Sequence, residues 1–304
     1  MVLILSAPPV APPVPPAQWV GLGIEWVAPD GTVWDLTDPS KGVVLVRDGV
    51  EGLHFPRVEK FSSASRAIPG KRSRGWRALA RDVFWRVYIY RDSSAAWLEL
   101  YRRFFDSIHP DRVGTWRVTA GDQTRELRLT GTFDEPWVYD RDPLYRGWAL
   151  YGVAMEADQP FWAGAPIKRG PWRAPAPVPF FDADGSPPLH ISQGSTFASA
   201  RIPNAGDVDA WPVWTLEGPL DPVEVGIGEA IVQVPFPILD GQVLRIDTDP
   251  RNVTATLDGA DVTRLLGFQR FAPVPPGGEV PLHVAAAGGG AVSVELVPLY
   301  FRAF

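Results

Sequence analysis

The sequence predicts a mainly β protein in two parts: a β-rich N-terminal domain with one amphipathic helix, then a C-terminal β-sandwich. Three observations predict it. Short β-rich runs alternate with turn residues along most of the chain. A single stretch, residues 93–108, carries a helix-period apolar stripe. The composition, 13 Trp and 33 Pro in 304 residues, suits rigid sheets and fixed connections. Aromatic side chains bury large areas with few rotors to freeze. Proline fixes the backbone and removes a donor, so it belongs in turns, edges and arms.

Residues 7–16 hold six prolines, at 8, 9, 12, 13, 15 and 16, a composition that favours extended polyproline and forbids a helix. Residues 19–36 read as a hairpin, two β-rich runs around the turn Pro29-Asp30-Gly31. Residues 43–48 are a strand. From Val83 the chain alternates Val83, Trp85, Val87 and Ile89 against Phe84, Arg86, Tyr88 and Tyr90, which predicts a sheet covered on both faces. The helix starts at a cap, Ser93 or Ser94. It carries Trp97, Leu100, Tyr101, Phe104, Phe105 and Ile108 on one stripe, and Pro110 closes it. Strands follow near 115–120, 124–133 and 146–157. Residues 62–75, rich in Ser and Gly, read as a loop, and prolines between 166 and 179 read as a linker.

Beyond the linker, strands are expected near 189–193, 197–203, 211–217, 222–227, 230–234, 242–247, 252–257, 279–285 and 291–300. Turn residues separate them at the roughly 8–12 residue spacing of a sandwich. Asp258-Gly259 is a two-residue hairpin signal, and a helical turn is expected at Asp261–Leu266. The expected organisation is a Pro-rich arm 1–18, a first domain 19–165, a linker 166–181 and a sandwich 182–304.

Net charge is −6. The first 165 residues hold 20 basic and 20 acidic side chains, so the imbalance lies in the remainder. Neither part has the basic excess of a general nucleic-acid binder. The absence of Cys excludes disulfides, thiolate metal sites and a Cys nucleophile. The N-terminal apolar run of about four residues lacks a basic flank and makes a poor signal peptide. No run approaches the roughly 18 apolar residues of a membrane helix, so no membrane insertion is expected.

Chemistry is sparse. His54, His109, His190 and His283 have no partner at ligand spacing, so no metal is expected. No nucleophile elbow, phosphate loop or dinucleotide fingerprint occurs. Asp134, Glu135, Asp140 and Asp142 cluster near Trp137 and Tyr139, and an acidic loop between strands accounts for them better than a glycosidase pair does. No catalytic residue and no cofactor are assigned. Residues 57–91 carry ten basic side chains against Glu59 and Asp82. Of these, Arg66, Lys71, Arg72 and Arg74 fall in the expected loop 62–75 and are candidates for docking an acidic neighbour. Pro8, Pro12 and Pro15 of the arm are further interface candidates. Trp211, Trp214, Trp137 and Tyr139 are candidates for glycan contact, against core packing as the plain alternative.

Several local patterns occur in an order that resembles the distal tail proteins of long, non-contractile-tailed bacteriophages. Gly49-Val-Glu-Gly52-Leu53 is similar to that family's early glycine turn, and the helix 95–108 falls where the family has its ring-domain helix. Ala157-Asp158-Gln-Pro160-Phe161-Trp162 resembles the close of its first domain. Gly241 to Thr248, Asp258-Gly259 and Phe271 to Gly278 resemble its C-terminal module. The arm departs from the pattern.

The resemblance implies a structural protein at the distal end of a phage tail. It implies a ring, hexameric by the family pattern, that joins the tail tube to the hub and the receptor-binding apparatus, with a galectin-like sandwich as the second domain. The implied partners are further copies of the chain, tail tube protein, hub or tail-associated protein, tape measure protein and receptor-binding proteins. Sequence-specific nucleic-acid binding is not implied. The alternatives are a carbohydrate-binding tail protein contacting host glycan and, further off, a cell-wall glycosidase.

Overall fold

The computed structural model describes residues 19–133, Tyr139, 142–173 and 196–304. The chain forms two compact units, Met1–Ala163 with Tyr300–Phe304, and Gly164–Leu299.

The first unit opens with β1 (Leu22–Val27) and β2 (Val33–Asp35), the expected hairpin, paired from Val27↔Val33 to Glu25↔Asp35. Then come β3 (Val43–Glu51), β4 (Val58–Ser65), β5 (Ile68–Ala78) and β6 (Arg81–Tyr90). Helix α1 (Ser94–Asp106) follows, then β7 (Gly114–Ala120) and β8 (Gln123–Gly131). A single turn, α2 (Pro143–Arg146), leads to β9 (Trp148–Ala157) and the short β10 (Trp162–Ala163). The main sheet runs β2-β1-β7-β8-β9-β6-β3, and its neighbours pair antiparallel. Leu45 N–H donates to Leu36 O at 2.9 Å, so the far strand of the order returns beside the end of β2 and the sheet curls around its core.

That core is aromatic. Trp26, Trp85, Trp116 and Trp162 are all buried and lie in series, with ring centroids 5.5, 5.4 and 4.9 Å apart. Trp162, the last residue of the Asp-Gln-Pro-Phe-Trp motif, thus ends a series of edge-on and tilted indole contacts. Its Nε1 donates to Gly52 O at 3.3 Å. Gly52 has φ 101°, and a Cβ there would meet Val83 Cγ2 at 2.7 Å, so the turn ahead of this contact requires glycine.

Helix α1 follows from its sequence. Ser93 Oγ accepts from Ala96 N–H, a capping bond that satisfies one orphan donor. Trp97, Leu100 and Phe104 are buried on the core, and Tyr101 and Phe105 pack beside them against Tyr151. One face of β6 is covered along its length; the other is covered at Tyr88 and Tyr90 and open at Asp82 and Arg86. Val83, Trp85, Val87 and Ile89 face the core, while Tyr88 and Tyr90 form a second cluster with Val44.

Two expectations need correction. Residues 62–75 are not a loop: β4 and β5 form a hairpin paired from Val58↔Ala78 to Ser65↔Ile68, with two register shifts. Its strands are largely exposed, so they carry no apolar alternation for sequence reading to detect. The stretch expected as a linker also holds a strand. Ile167–Arg173 is β11, paired with a strand of the second unit, and its glycine and proline sit at a register shift on a sheet edge, where proline is tolerated. Residues 174–195 lie outside the described residues, as does the strand expected at 189–193.

The second unit is the expected sandwich. After β11 come β12 (Arg201–Pro203), β13 (Pro212–Glu217), β14 (Val223–Ile227), β15 (Ala230–Val234), β16 (Val243–Asp247), β17 (Thr254–Leu257) and β18 (Ala260–Asp261). A 3-10 turn at Thr263–Leu265 stands within the expected helical turn. The unit continues with β19 (Glu279–Ala286) and β20 (Ala291–Leu296). One sheet runs β11-β20-β13-β16-β17-β18 and the other β12-β19-β14-β15. Inward residues alternate along the strands, as in Val223 and Val225 or Leu244 and Ile246, and pack as one core. At the β17–β18 turn Asp258 has φ 49° and Gly259 φ 86°, the left-handed pair such a tight hairpin requires. Finally β21 (Leu299–Tyr300) pairs with β10, and the last five residues rejoin the first unit.

Candidate interaction site

The basic side chains singled out in the sequence between 57 and 81 gather at the β4–β5 hairpin and at its foot. Along the hairpin Arg66, Lys71, Arg72 and Arg74 are all exposed. Arg74 Nε donates to Ser63 Oγ at 3.1 Å, and Arg77 pairs with Glu59 at 2.7 Å. At the foot Arg57 pairs with Asp82 at 3.0 Å. These ion pairs are exposed and contribute little stability. The hairpin therefore presents exposed cations on two strands that pair only with each other. Isolated two-stranded hairpins are marginal in water, so this one suits an element completed by a neighbour.

The foot of the hairpin is aromatic. Phe55 and Trp76 are 66% and 48% exposed, and Phe301 lies between them at centroid distances of 5.6 and 5.9 Å. Beneath is Arg81, 2% exposed and without a carboxylate partner among the described residues. Its Nε donates to Pro160 O at 2.6 Å, its Nη1 to Gly52 O at 2.6 Å and to His54 O, and its Nη2 to Phe301 O at 2.8 Å. Burial pulls its pKa down to about 10, still far above neutrality, so the guanidinium stays charged and acts as a hub for four carbonyls. Sequence reading counted Arg81 among the basic residues and gave it no role. Nothing in a single sequence separates a buried arginine from an exposed one.

The other candidates separate. Trp214 is 1% exposed and belongs to the sandwich core, which corrects its assignment to glycan contact: on β13 its parity points it inward with Leu216. Trp211, just before that strand, is half-buried. Tyr139 is exposed, and its hydroxyl lies 3.4 Å from that of Tyr151. Together with Phe84, Tyr101, Phe105 and Phe133 these two line a cavity of about 260 Å³ beside α1. Burial raises the hydroxyl pKa of Tyr101 to about 12 and that of Tyr151 further, so both are neutral donors. Asp142 caps α2 by accepting from Leu144 N–H at 2.9 Å. Trp137, Asp134, Glu135, Asp140, Pro8, Pro12 and Pro15 lie outside the described residues. Among the described residues no cluster of His, Asp and Glu could hold a metal ion.

No family model matches the chain. It is 30% identical over 145 residues to the minor tail protein Gp27 of Mycobacterium phage L5, a stretch covering 46% of this chain and 43% of that protein. The match thus spans less than half of the relative. Among solved structures, the fold matches the Dit protein (gp 19.1) of phage SPP1, described as a paradigm of the hub adsorption apparatus in phages infecting Gram-positive hosts. The TM-score is 0.58 at 10% identity, over 91% of this chain and 98% of that one. A chain of the phage P2 baseplate, in its activated conformation with calcium, matches at 0.55 and 10% identity, over 90% and 97%. The strontium form of the phage p2 baseplate matches at 0.55 and 11% identity, over the same shares.

The relative with which it shares 30% identity, over less than half of either chain, is a minor tail protein of a bacteriophage. Its fold is similar to that of the phage SPP1 Dit protein and of a phage P2 baseplate chain over about nine-tenths of its length.

Proposed function

We propose that this chain is the distal tail protein of its phage. Copies of it form a ring, six-fold by the family pattern, between the tail tube and the hub that carries the receptor-binding apparatus. The first unit builds the ring, and the sandwich, inserted ahead of that unit's last five residues, is its second module. The observation that carries this reading is the extent of the fold match, 98% of the phage SPP1 Dit chain and both units of this one.

The β4–β5 hairpin supports it. A closed ring uses two different surfaces of each subunit, and an exposed basic hairpin is suited to be one of them. Arg66, Lys71, Arg72 and Arg74 dock there against an acidic neighbour, either the next copy or the adjoining tube or hub protein. Electron microscopy of the particle or of the purified chain tests the reading. Six-fold averages with the first unit lining the ring are expected, and a chain that stays monomeric within the particle defeats it.

A further inference from the structure

The foot of the hairpin holds a second feature that the ring reading does not use. A cavity of about 470 Å³ opens there, lined by Trp19, Leu53, His54, Phe55, Arg57 and Phe304 among others. Its size is within the roughly 300–1,000 Å³ of ligand pockets. Phe55 and Phe304 are 66% and 46% exposed. Through Phe301 the aromatic surface continues from Phe55 to Trp76.

The polar groups of this site are mostly committed. Arg81 is spent on four carbonyls, and Arg57 and Asp82 hold each other. One buried donor remains: the indole N–H of Trp19 has no hydrogen-bond partner among the described residues. Leaving a buried donor unpaired is costly, so it points to an acceptor that belongs there. The exposed Glu51 and His54 also line the site, so it offers aromatic faces, one N–H and these two polar side chains, which suits a largely apolar ligand that carries acceptors.

Polyproline is such a ligand. Its rings are apolar, its residues lack N–H, and its carbonyls make no internal hydrogen bonds. Aromatic-lined grooves bind it because the rod is pre-formed and loses little entropy on docking. Residues 1–18 carry no charged side chain and include six prolines between 8 and 16. The chain enters the described structure at Trp19, in the wall of this cavity. Only Ala17 and Gln18 separate Pro16 from that wall. A tether that short gives an effective concentration in the millimolar range, which favours the chain's own arm over one from another copy.

We propose that the Pro-rich segment 8–16 docks on the aromatic groove of its own first unit and accepts a hydrogen bond from Trp19 Nε1. From sequence alone these prolines were candidates for contacts between subunits; the groove at Trp19 assigns them a nearer partner. The inference does not depend on a ring.

The test uses a fluorescein-labelled peptide with the sequence of residues 5–18, followed by anisotropy. It is titrated into the full natural chain and into the full chain with Pro12, Pro13, Pro15 and Pro16 each replaced by Ser. The substituted chain is expected to bind the peptide saturably. The natural chain is expected to bind at least tenfold more weakly at every protein concentration, because its own arm fills the groove. Adding Phe55→Ala to the substituted chain is expected to abolish binding, with an unchanged melting curve because Phe55 is mostly exposed. No binding to the substituted chain, or equal binding to both, overturns the proposal. So does resistance that appears only as the natural chain is concentrated, since that outcome means the arm comes from a neighbour.

Discussion

At the scale of single residues, Arg81 holds more of the first unit together than any other polar side chain described. It ties the strand end at Gly52, the loop at His54, the motif residue Pro160 and the returning Phe301 through one guanidinium. Arg81→Ala leaves four carbonyls short of a donor in a buried place, and we expect a loss of about 3–5 kcal/mol in urea unfolding of this unit. Arg81→Lys is expected to lose at least half as much, because an ammonium cannot match the planar fork. A loss below about 1 kcal/mol for the alanine variant means that water replaces the guanidinium. The charge brings no pH dependence near neutrality. Burial lowers the folded pKa to about 10, so below pH 10 both states are protonated. Between about 10 and the unfolded value of 12.5 the unfolded state holds the extra proton, and Arg81 makes stability rise with pH there.

At the scale of elements, α1 and the β4–β5 hairpin are opposites. The helix is defined by burial. Phe104 is fully buried, and Phe104→Ala is expected to cost about 3–5 kcal/mol by chemical denaturation; a change under about 1 kcal/mol contradicts the packing. The hairpin is defined by exposure. In the free chain its amides are expected to exchange hydrogen quickly, and on assembly to slow markedly. If its cations dock on an acidic surface, assembly of the natural chain weakens with salt. Replacing Arg66, Lys71, Arg72 and Arg74 with Gln then weakens assembly at low salt and flattens the salt dependence. Unchanged exchange in both states removes the hairpin from the interface.

The same contrast explains what the sequence could tell. Wherever one face of an element is buried, its period is written in apolar residues, as in α1, β6 and most of the sandwich strands. The hairpin faces water on both sides and β11 lies at an edge with glycine and proline, so neither carries that signal. The site was half legible. Arg66, Lys71, Arg72 and Arg74 stood out as a local charge excess. The groove brings together Trp19, residues near 53–57 and the C-terminal phenylalanine, a convergence that only the fold creates. Trp214 shows the reverse error, because an inward tryptophan and an outward one read alike without the strand's parity.

At the scale of the whole molecule, the path of the chain matters more than its division into two units. It leaves the first unit at Ala163, builds the sandwich, and comes back for its last five residues. Those five are built into the first unit. Arg125 stacks over the Tyr300 ring at 3.7 Å and donates to Arg302 O at 2.7 Å. Phe301 O accepts from Arg81, and Ala303, 2% exposed, donates its N–H to Leu53 O at 2.8 Å. The sandwich is therefore an insertion within the first unit, not an appendage at its end. Stopping the chain after Leu299 removes two charge-assisted hydrogen bonds, a backbone bond and a cation–π contact, together about 5 kcal/mol. For a unit of this size that loss lowers the melting midpoint by roughly 10–20 °C. The sandwich keeps all its strands, since β21 pairs with β10 in the first unit's sheet, so its own transition is expected to stay where it is. Calorimetry of the natural and shortened chains separates the two transitions, and hydrogen exchange at Leu53 and Val83 against Val225 and Leu244 assigns them. If both transitions fall together, the last five residues stabilise the molecule through something other than the first unit. If neither moves, the return of the chain is a contact without consequence.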